Sequence, residues 1–472
     1  MNVTTRLPPP HGLAEIFAAQ QKTALALRGS TAAERIAKLK KLEAAILAHQ
    51  PSIYRALAED LHKAEAESDL SDLMPVLAEI RHAMRHLAHW MRPRRVGTTR
   101  LMLGTAARIR PEPRGVTLII SPWNYPVSLT LAPLVSAIAA GNTAMVKPSE
   151  LSAATSAVLA QIIGSCFEPA EVAVFQGDAS VASALLDLPF DHMFFTGSPA
   201  IGRVVMAAAA KHLSSVTLEL GGKSPAIVDP SANIAKAARS IVWGKFLNAG
   251  QTCIAPDHVF VHETVLPQFL DAVKAAIARM YGDAKTSPDY GRIINARHFF
   301  RLSAMLEDAA GRGGELVSAA PPDAGQKFIA PTLLLRPDTA SSAMQEEIFG
   351  PILPVVPYQE LGQVIAQINA GPKPLALYMF ARDEGNTERV LEQTSSGGAC
   401  INLSLLHFTH ANLPFGGVNN SGIGASHGEF GFRAFSHERA VLRDRFSTIS
   451  MLFPPYTARV RRTIKLLLRH FV

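Results

Sequence analysis

Cys253 lies in "NAGQTCIAPDH", a polar, glycine-containing loop between a helix-like run and a strand-like run. A thiol attacks as its thiolate, and a loop near a helix end or a cationic group favours that form. The competing reading is a small packed apolar residue, because cysteines are more often inert than catalytic. Glu219, in "VTLELGGKSPAIV", sits inside an apolar run ahead of two glycines that allow close backbone approach. Burial lifts a carboxyl pKa toward the range of a general base. A structural salt bridge accounts for the same pattern equally well.

Two further segments suit a ligand carrying phosphate and ribose. In "HMFFTGSPAIGRVV", Gly197 ends a strand, Ser198 is a good N-cap and Pro199 suits the first helical position. The helix start that follows offers free N–H groups and a positive dipole end to an anion. An ordinary capped helix is the alternative, and the segment is not a G-x-G-x-x-G motif. In "VKPSE", Lys147 and Glu150 stand at the end of an earlier strand. The carboxylate can accept from a ribose diol and the lysine can approach the same sugar or its phosphates, against the alternative of a plain surface ion pair.

These residues need a scaffold, and the hydrophobic pattern supplies one. From Pro10 to Arg92 apolar residues recur at three and four, with Thr31 and Glu34 spaced as a capping box. "MRPRRVGTTRLMLGTAARIRPEPRG" then breaks the periodicity and reads as a protruding ribbon. Beyond it, strand-like runs ("GVTLIIS", "TAMVKP", "VAVFQG", "HMFFTG") alternate with helical ones, and a second such series begins near Gly221. The pattern predicts an α/β protein with two doubly wound domains and ligand at the strands' carboxyl ends.

The chain's 472 residues, 48% of them hydrophobic, can fill two or three cores. Three scattered cysteines exclude a disulfide framework and a zinc knuckle, which points to a reducing compartment. The N-terminus lacks a secretory pattern and no apolar run reaches the ~18 residues of a membrane span, so a cytoplasmic location is expected. The net charge of +7 is dispersed and accompanied by no aromatic-basic motif, so no nucleic-acid partner is expected. The ending "ARVRRTIKLLLRHFV" forms a basic amphipathic helix, with Val460, Ile464, Leu467, Leu468 and Phe471 on one face and Arg461, Arg462, Lys465 and Arg469 opposite. Such a helix can lie on an anionic membrane, gate an entrance or dock on its own protein.

Taken together, "SPWNYPVSLTLAPLVSAIAAGNTAMVKPSE", "FTGSPAIG", "LELGGKSP", "GQTC", "EEIFGP" and "LPFGGVNNSG" resemble the aldehyde dehydrogenase superfamily, in its order and spacing, from about residue 15 to 445. "WGKFLNAGQTCIAPD" and "GEFGFRAFSHER" are most similar to the class 3 branch, whose members oxidise fatty and aromatic aldehydes and are usually dimers. The resemblance implies that Cys253 is the nucleophile. It implies an oxyanion hole made by Asn124 and the Cys253 N–H, and Glu219 as deacylation base, with Glu347 as a second candidate. It also implies NAD, with NADP possible: Trp123, Lys147 and Glu150 around the adenosine ribose, Gly197, Ser198 and Gly202 at the phosphates, and Glu347 with Phe349 at the nicotinamide ribose. Pro199 and Ala200 depart from the polar residue of many relatives. No metal is implied.

The implied architecture is a Rossmann-like NAD(P)-binding domain (1–96 and 114–219), a catalytic domain (220–426), a β-ribbon oligomerisation arm (97–113 and 427–445) that pairs two subunits as a homodimer, and the basic tail (446–472). A coenzyme-A-acylating enzyme is the alternative, and Glu219 argues against it because that type usually lacks the base. A non-catalytic protein of the same fold is disfavoured by Asn124, Glu219, Cys253 and Glu347 occurring together.

Overall fold

The structure, a computed structural model, describes residues 12–470. The first sheet runs, in spatial order, Gly422–Ile423, Ser215–Leu220, His192–Gly197, Val116–Ile120, Thr143–Lys147 and Val172–Val174. All neighbours are parallel except the first pair. Every residue of Val116–Ile120 and Thr143–Lys147 is buried, as expected of parallel strands with both faces covered. Strand order reverses between Val116–Ile120 and His192–Gly197. An open α/β sheet leaves its ligand crevice at such a point, and Asn124 and Ser198 follow directly on these two strands.

The three–four spacing upstream forms the helices Leu13–Leu27, Ala32–Ala48, Gln50–Leu61 and Met74–Trp90. The capping box is made: Glu34 N donates to Thr31 Oγ1 at 3.3 Å and Thr31 N to Glu34 Oε2 at 2.7 Å. A π-helical turn, Asp69–Leu73, runs straight into Met74–Trp90.

The second sheet is ordered Glu315–Ser318, Thr332–Leu335, Ile352–Tyr358, His258–His262, Pro225–Val228, Ala376–Phe380 and Gly398–Ile401. It too is parallel except at the edge formed by the first two strands. Its own core, with Phe246, Phe260 and Tyr378 fully buried, is separate from that of the first sheet.

The ribbon is a three-stranded antiparallel sheet of Arg94–Val96, Thr105–Pro113 and Ser436–Asp444. Two boundaries differ from the sequence reading. The ribbon begins at Arg94 rather than residue 97, because Arg94, Arg95 and Val96 pair with Ile109, Arg108 and Ala107. The stretch 427–435 belongs with the first sheet, because Gly428–Ala434 is a helix whose Phe432, with Phe435 after it, is buried in that sheet's core. Gly422–Ile423 likewise returns to the first sheet by pairing with Leu218 and Glu219.

The tail forms the helix Ala458–His470. Val460, Ile464 and Leu467 are half-buried, while Arg461, Arg462, Lys465 and Arg469 are exposed. Leu468, expected on the apolar face, is 62% exposed, and Phe471 lies outside the described residues. No helix among the described residues is long and apolar enough to cross a membrane.

Candidate active site

Glu219 ends the apolar strand Ser215–Leu220, and Cys253 follows Leu247–Gly250, a tight turn at the end of the helix Ile234–Phe246. Both line one cavity, walled by Met74, Leu129, Trp243, Leu405, Phe408 and Phe415 among others. Glu219 is buried; its Oε1 accepts from Ser426 Oγ at 2.9 Å and its Oε2 has no partner. Burial pushes its carboxyl up to about 8, opposed by the Ser426 hydrogen bond. Cys253 is half-buried, and burial, then the Glu347 and Glu219 carboxylates, push its thiol up to about 12. In this state the pair is a neutral thiol beside a neutral acid at pH 7.

Asn124 is fastened to the cysteine loop from both of its ends. Its Nδ2 donates to Gln251 O at 3.0 Å, and its backbone O accepts from Asn248 Nδ2 at 2.8 Å. One amide hydrogen of Asn124 is used in this way, and a second is left for another acceptor. Gln251 is fixed in turn: its Nε2 donates to Asn248 O and Arg292 O, and its Oε1 accepts from Ile294 N. Asn248, Ala249 and Gly250 all have left-handed φ, at 52°, 51° and 76°. Only glycine adopts that region freely, and Gly250 is also pressed against the Gly350 carbonyl, leaving no room for a side chain.

Beneath Asn124 lies a fully buried ion pair. Lys63 Nζ stands 2.8 Å from Asp72 Oδ2 and 3.3 Å from Asn124 O, and Asp72 Oδ1 accepts from the Val127 and Ser128 amides. The pair thereby binds the π-turn to the start of the helix Ser128–Ala140. Isolated buried pairs of this kind gain little net stability, so holding Asn124 in place is the contribution the contacts reveal.

Glu347 is held by its backbone. Arg301 donates to Glu347 O and Ile348 O, Lys223 donates to Glu346 O, and Asp257 accepts from Ile348 N at 2.9 Å. Burial opposes ionisation of Asp257, but the neighbouring Lys223 holds its carboxyl well below the usual range. Burial and the Asp257 charge push Glu347 up to about 7, and its Oε1 is buried without a partner. Phe349 has φ of 46°, and its ring meets that of Trp123 edge-on at 5.4 Å. Trp123 also packs on His298 at 5.2 Å. Its ring contacts are thus with Phe349, two residues after Glu347, and with His298.

Lys147 Nζ contacts Glu150 Oε2 at 2.7 Å at the end of Thr143–Lys147. Ser198 caps the helix Pro199–His212 by accepting from Ile201 N, and Gly202 lets that helix lie against Leu220, next to Glu219. The first sheet's strand ends therefore carry a capped helix start and a lysine–carboxylate pair, and Glu347 offers a bare buried carboxyl oxygen. This donor and acceptor set fits a dinucleotide: anionic phosphates at the helix start and ribose hydroxyls at the two glutamates.

Sequence reading did not single out Lys63, Asp72, Gln251, Lys223, Asp257, Arg301 or Ser426. Gln251 and Lys223 stood inside quoted motifs, "NAGQTC" and "LELGGKSP", whereas Lys63 and Asp72 carry no local signal at all.

The aldehyde dehydrogenase family model matches residues 12–441. The chain is 43% identical over 441 residues to aldehyde dehydrogenase family 3 member B1 of Rattus norvegicus, covering 93% of each. It superposes on the substrate-bound AldH of Staphylococcus aureus with a TM-score of 0.92 and 40% identity, covering 97% of this chain and 99% of that one. It is also similar to PnpE of Pseudomonas sp. WBC-3 in its complex with nicotinamide adenine dinucleotide, with a TM-score of 0.83 and 26% identity over 92% of this chain and 90% of that one. The chain belongs to the aldehyde dehydrogenase family, close to its class 3 branch, and is an NAD(P)-dependent enzyme that oxidises an aldehyde to the carboxylic acid.

Proposed function

We propose that Cys253 is the nucleophile of this oxidation, that Asn124 and the Cys253 N–H form the oxyanion hole, and that Glu219 is the deacylation base. The observation that carries the reading is that Cys253 and Glu219 face one apolar cavity while Asn124 is fastened to Gln251, two residues before Cys253. Cys253 loses its proton to solvent water, its sulfur bonds to the aldehyde carbon as the carbonyl π bond breaks, and the carbonyl oxygen takes the negative charge. The free amide hydrogen of Asn124 and the Cys253 N–H stabilise that charge as it develops. NAD(P), when bound, accepts hydride and brings a cationic ring that favours thiolate. The acyl group is then a thioester on Cys253. Glu219, through its bare Oε2, takes a proton from water; the water oxygen bonds to the acyl carbon, the C–S bond breaks and the acid leaves. Resolution by water in this way needs no free coenzyme A. Glu347 is the second candidate for the base.

For the cofactor, Glu347 would hold the nicotinamide ribose with Phe349 and Trp123 beside it, Gly197, Ser198 and Gly202 would hold the phosphates, and Lys147 with Glu150 would hold the adenosine ribose. The Glu150 carboxylate repels a 2′-phosphate, which favours NAD over NADP. The apolar cavity walls suit a medium-to-long aliphatic or an aromatic aldehyde. The test is NADH formation by the Cys253→Ala variant: none is expected, and undiminished production rules the mechanism out.

Two assemblies accompany this reading in the cytoplasm. The ribbon leaves Ser436–Asp444 as an edge strand, and pairing of that edge across a two-fold gives a homodimer. A monomer mass at micromolar concentration in sedimentation equilibrium counts against it. The exposed basic face of Ala458–His470 suits an anionic membrane surface. Vesicle binding that persists after truncation at Phe453 counts against that contact.

A further inference from the structure

The substrate cavity holds a second buried carboxyl that the mechanism does not use. Glu79, on the helix Met74–Trp90, lines the apolar cavity and is 5% exposed. Its Oε1 accepts from Gly428 N at 2.8 Å, while its Oε2 accepts no hydrogen bond among the described residues. His427 Nδ1 stands 3.9 Å from that Oε2. Burial raises Glu79 to about 7 and lowers His427 to about 4, so the two do not form a charge pair at neutral pH. The His427 ring, also on the cavity wall, is gripped edge-on by Phe408 at 4.8 Å and Phe415 at 5.4 Å, so its direction is set.

A few polar groups in an otherwise apolar ligand cavity orient the ligand that fills it, and Glu79 and His427 stand together on this wall. The two carboxyls are also kept in register. Ser426 donates to Glu219 and Gly428 to Glu79, and residues two apart are separated by at most about 7 Å of chain. The two carboxyls are thus held from one short segment on the wall of the cavity that Cys253 also lines.

We propose that Glu79 and His427 form a distal binding site in the cavity, selecting aldehydes that carry a hydroxyl group at the end remote from the carbonyl. The inference rests on the aldehyde-oxidising reading above and names its substrate class. The substrate hydroxyl donates to Glu79 Oε2 and accepts from an N–H of His427. An ammonium group fits less well, because burial opposes ionisation of Glu79.

The test compares initial NADH rates for 4-hydroxycinnamaldehyde against cinnamaldehyde, and for an ω-hydroxyalkanal against the plain alkanal of equal length. The unaltered enzyme should favour the hydroxylated member of at least one pair in kcat/KM by about tenfold or more, since a site built to hydrogen-bond a hydroxyl rejects the analogue without it. Glu79→Leu should bring that ratio to about one, and Glu79→Gln, which keeps the shape and the Gly428 contact, should retain part of it. Should Glu79→Leu not fold, His427→Phe reads the same ratio, with a several-fold fall expected. A ratio of one or below in the unaltered enzyme, equal losses for both members of a pair in the variants, or preference for an ω-amino aldehyde overturns the proposal. Inactivity toward every aldehyde would instead overturn the Cys253 reading, and this inference with it.

Discussion

Replacing Glu219 by glutamine separates the two halves of the reaction. Glutamine keeps the volume and an oxygen for Ser426 Oγ, which stands 2.9 Å from Glu219 Oε1, so the cavity wall survives. What is lost is the basic character of the bare, buried Oε2. A positioned general base contributes about 10²- to 10⁴-fold, or about 3–5 kcal/mol at about 1.4 kcal/mol per tenfold, and kcat should fall by that amount. Acylation does not use Glu219, so the first turnover should remain: stopped-flow mixing with NAD and aldehyde gives a burst of about one NADH per site and then a slow phase. In the unaltered enzyme the working form is the carboxylate, and burial sets its pKa at about 8. The deacylation rate therefore rises with pH up to about 8 and levels above it, a step that the variant's slow phase should lack. Equal losses of burst rate and slow phase would refute the reasoning, because Glu219 would then be acting at Cys253 or holding the cavity together.

Asn124→Ala should lower kcat/KM by about 10²- to 10³-fold through loss of one oxyanion donor; a change below tenfold in steady-state rates counts against the role. Glu150→Ala should raise the NADP-to-NAD ratio of kcat/KM, and an unchanged ratio removes Glu150 from the adenosine ribose. Lys63→Met leaves Asp72 buried without its cation and should cost about 3–5 kcal/mol, read from the urea midpoint, while an unaltered midpoint shows the pair to be dispensable. Glu219 also links stability to pH. Its folded value of about 8 exceeds the ordinary 4.5, so the folded protein keeps a proton that the unfolded chain releases, and stability falls as pH rises through that window. Glu219→Gln lacks this loss, and its urea midpoint relative to the unaltered protein should climb between about pH 5 and pH 8.

The parts of the fold carried by local periodicity were legible: both strand–helix series, the Thr31–Glu34 box and the Ser198 cap all depend on neighbours within a few residues. Boundaries that depend on distant partners were not. Arg94 joins the ribbon only because Arg108 and Ile109 lie opposite, and Gly428–Ala434 leaves it because Phe432 packs on Trp90, more than 300 residues upstream in sequence. At the candidate site, motifs singled out Cys253, Glu219 and Asn124, which the fold brings together, but not the residues that support them. Lys63 lies 61 residues from the carbonyl it holds, and nothing within its own segment marks it. Trp123 was legible as a site residue but not by its neighbours, since the loop bearing Phe349 comes from the other sheet.

The return of Gly422–Ile423 to Ser215–Leu220 fixes an order of events during synthesis. The strand bearing Glu219 leaves the ribosome with one edge open, and its partner arrives some two hundred residues later. Long-range pairings of this kind close late and leave a sticky edge exposed meanwhile. The Ser426 contact to Glu219 comes from the same late segment. A nascent chain thus possesses its cysteine well before its carboxyl is seated, and a chain ended between residues 253 and 421 has the thiol but no completed cavity. The seating of Glu219 is completed by one of the last parts of the domain pair to be made.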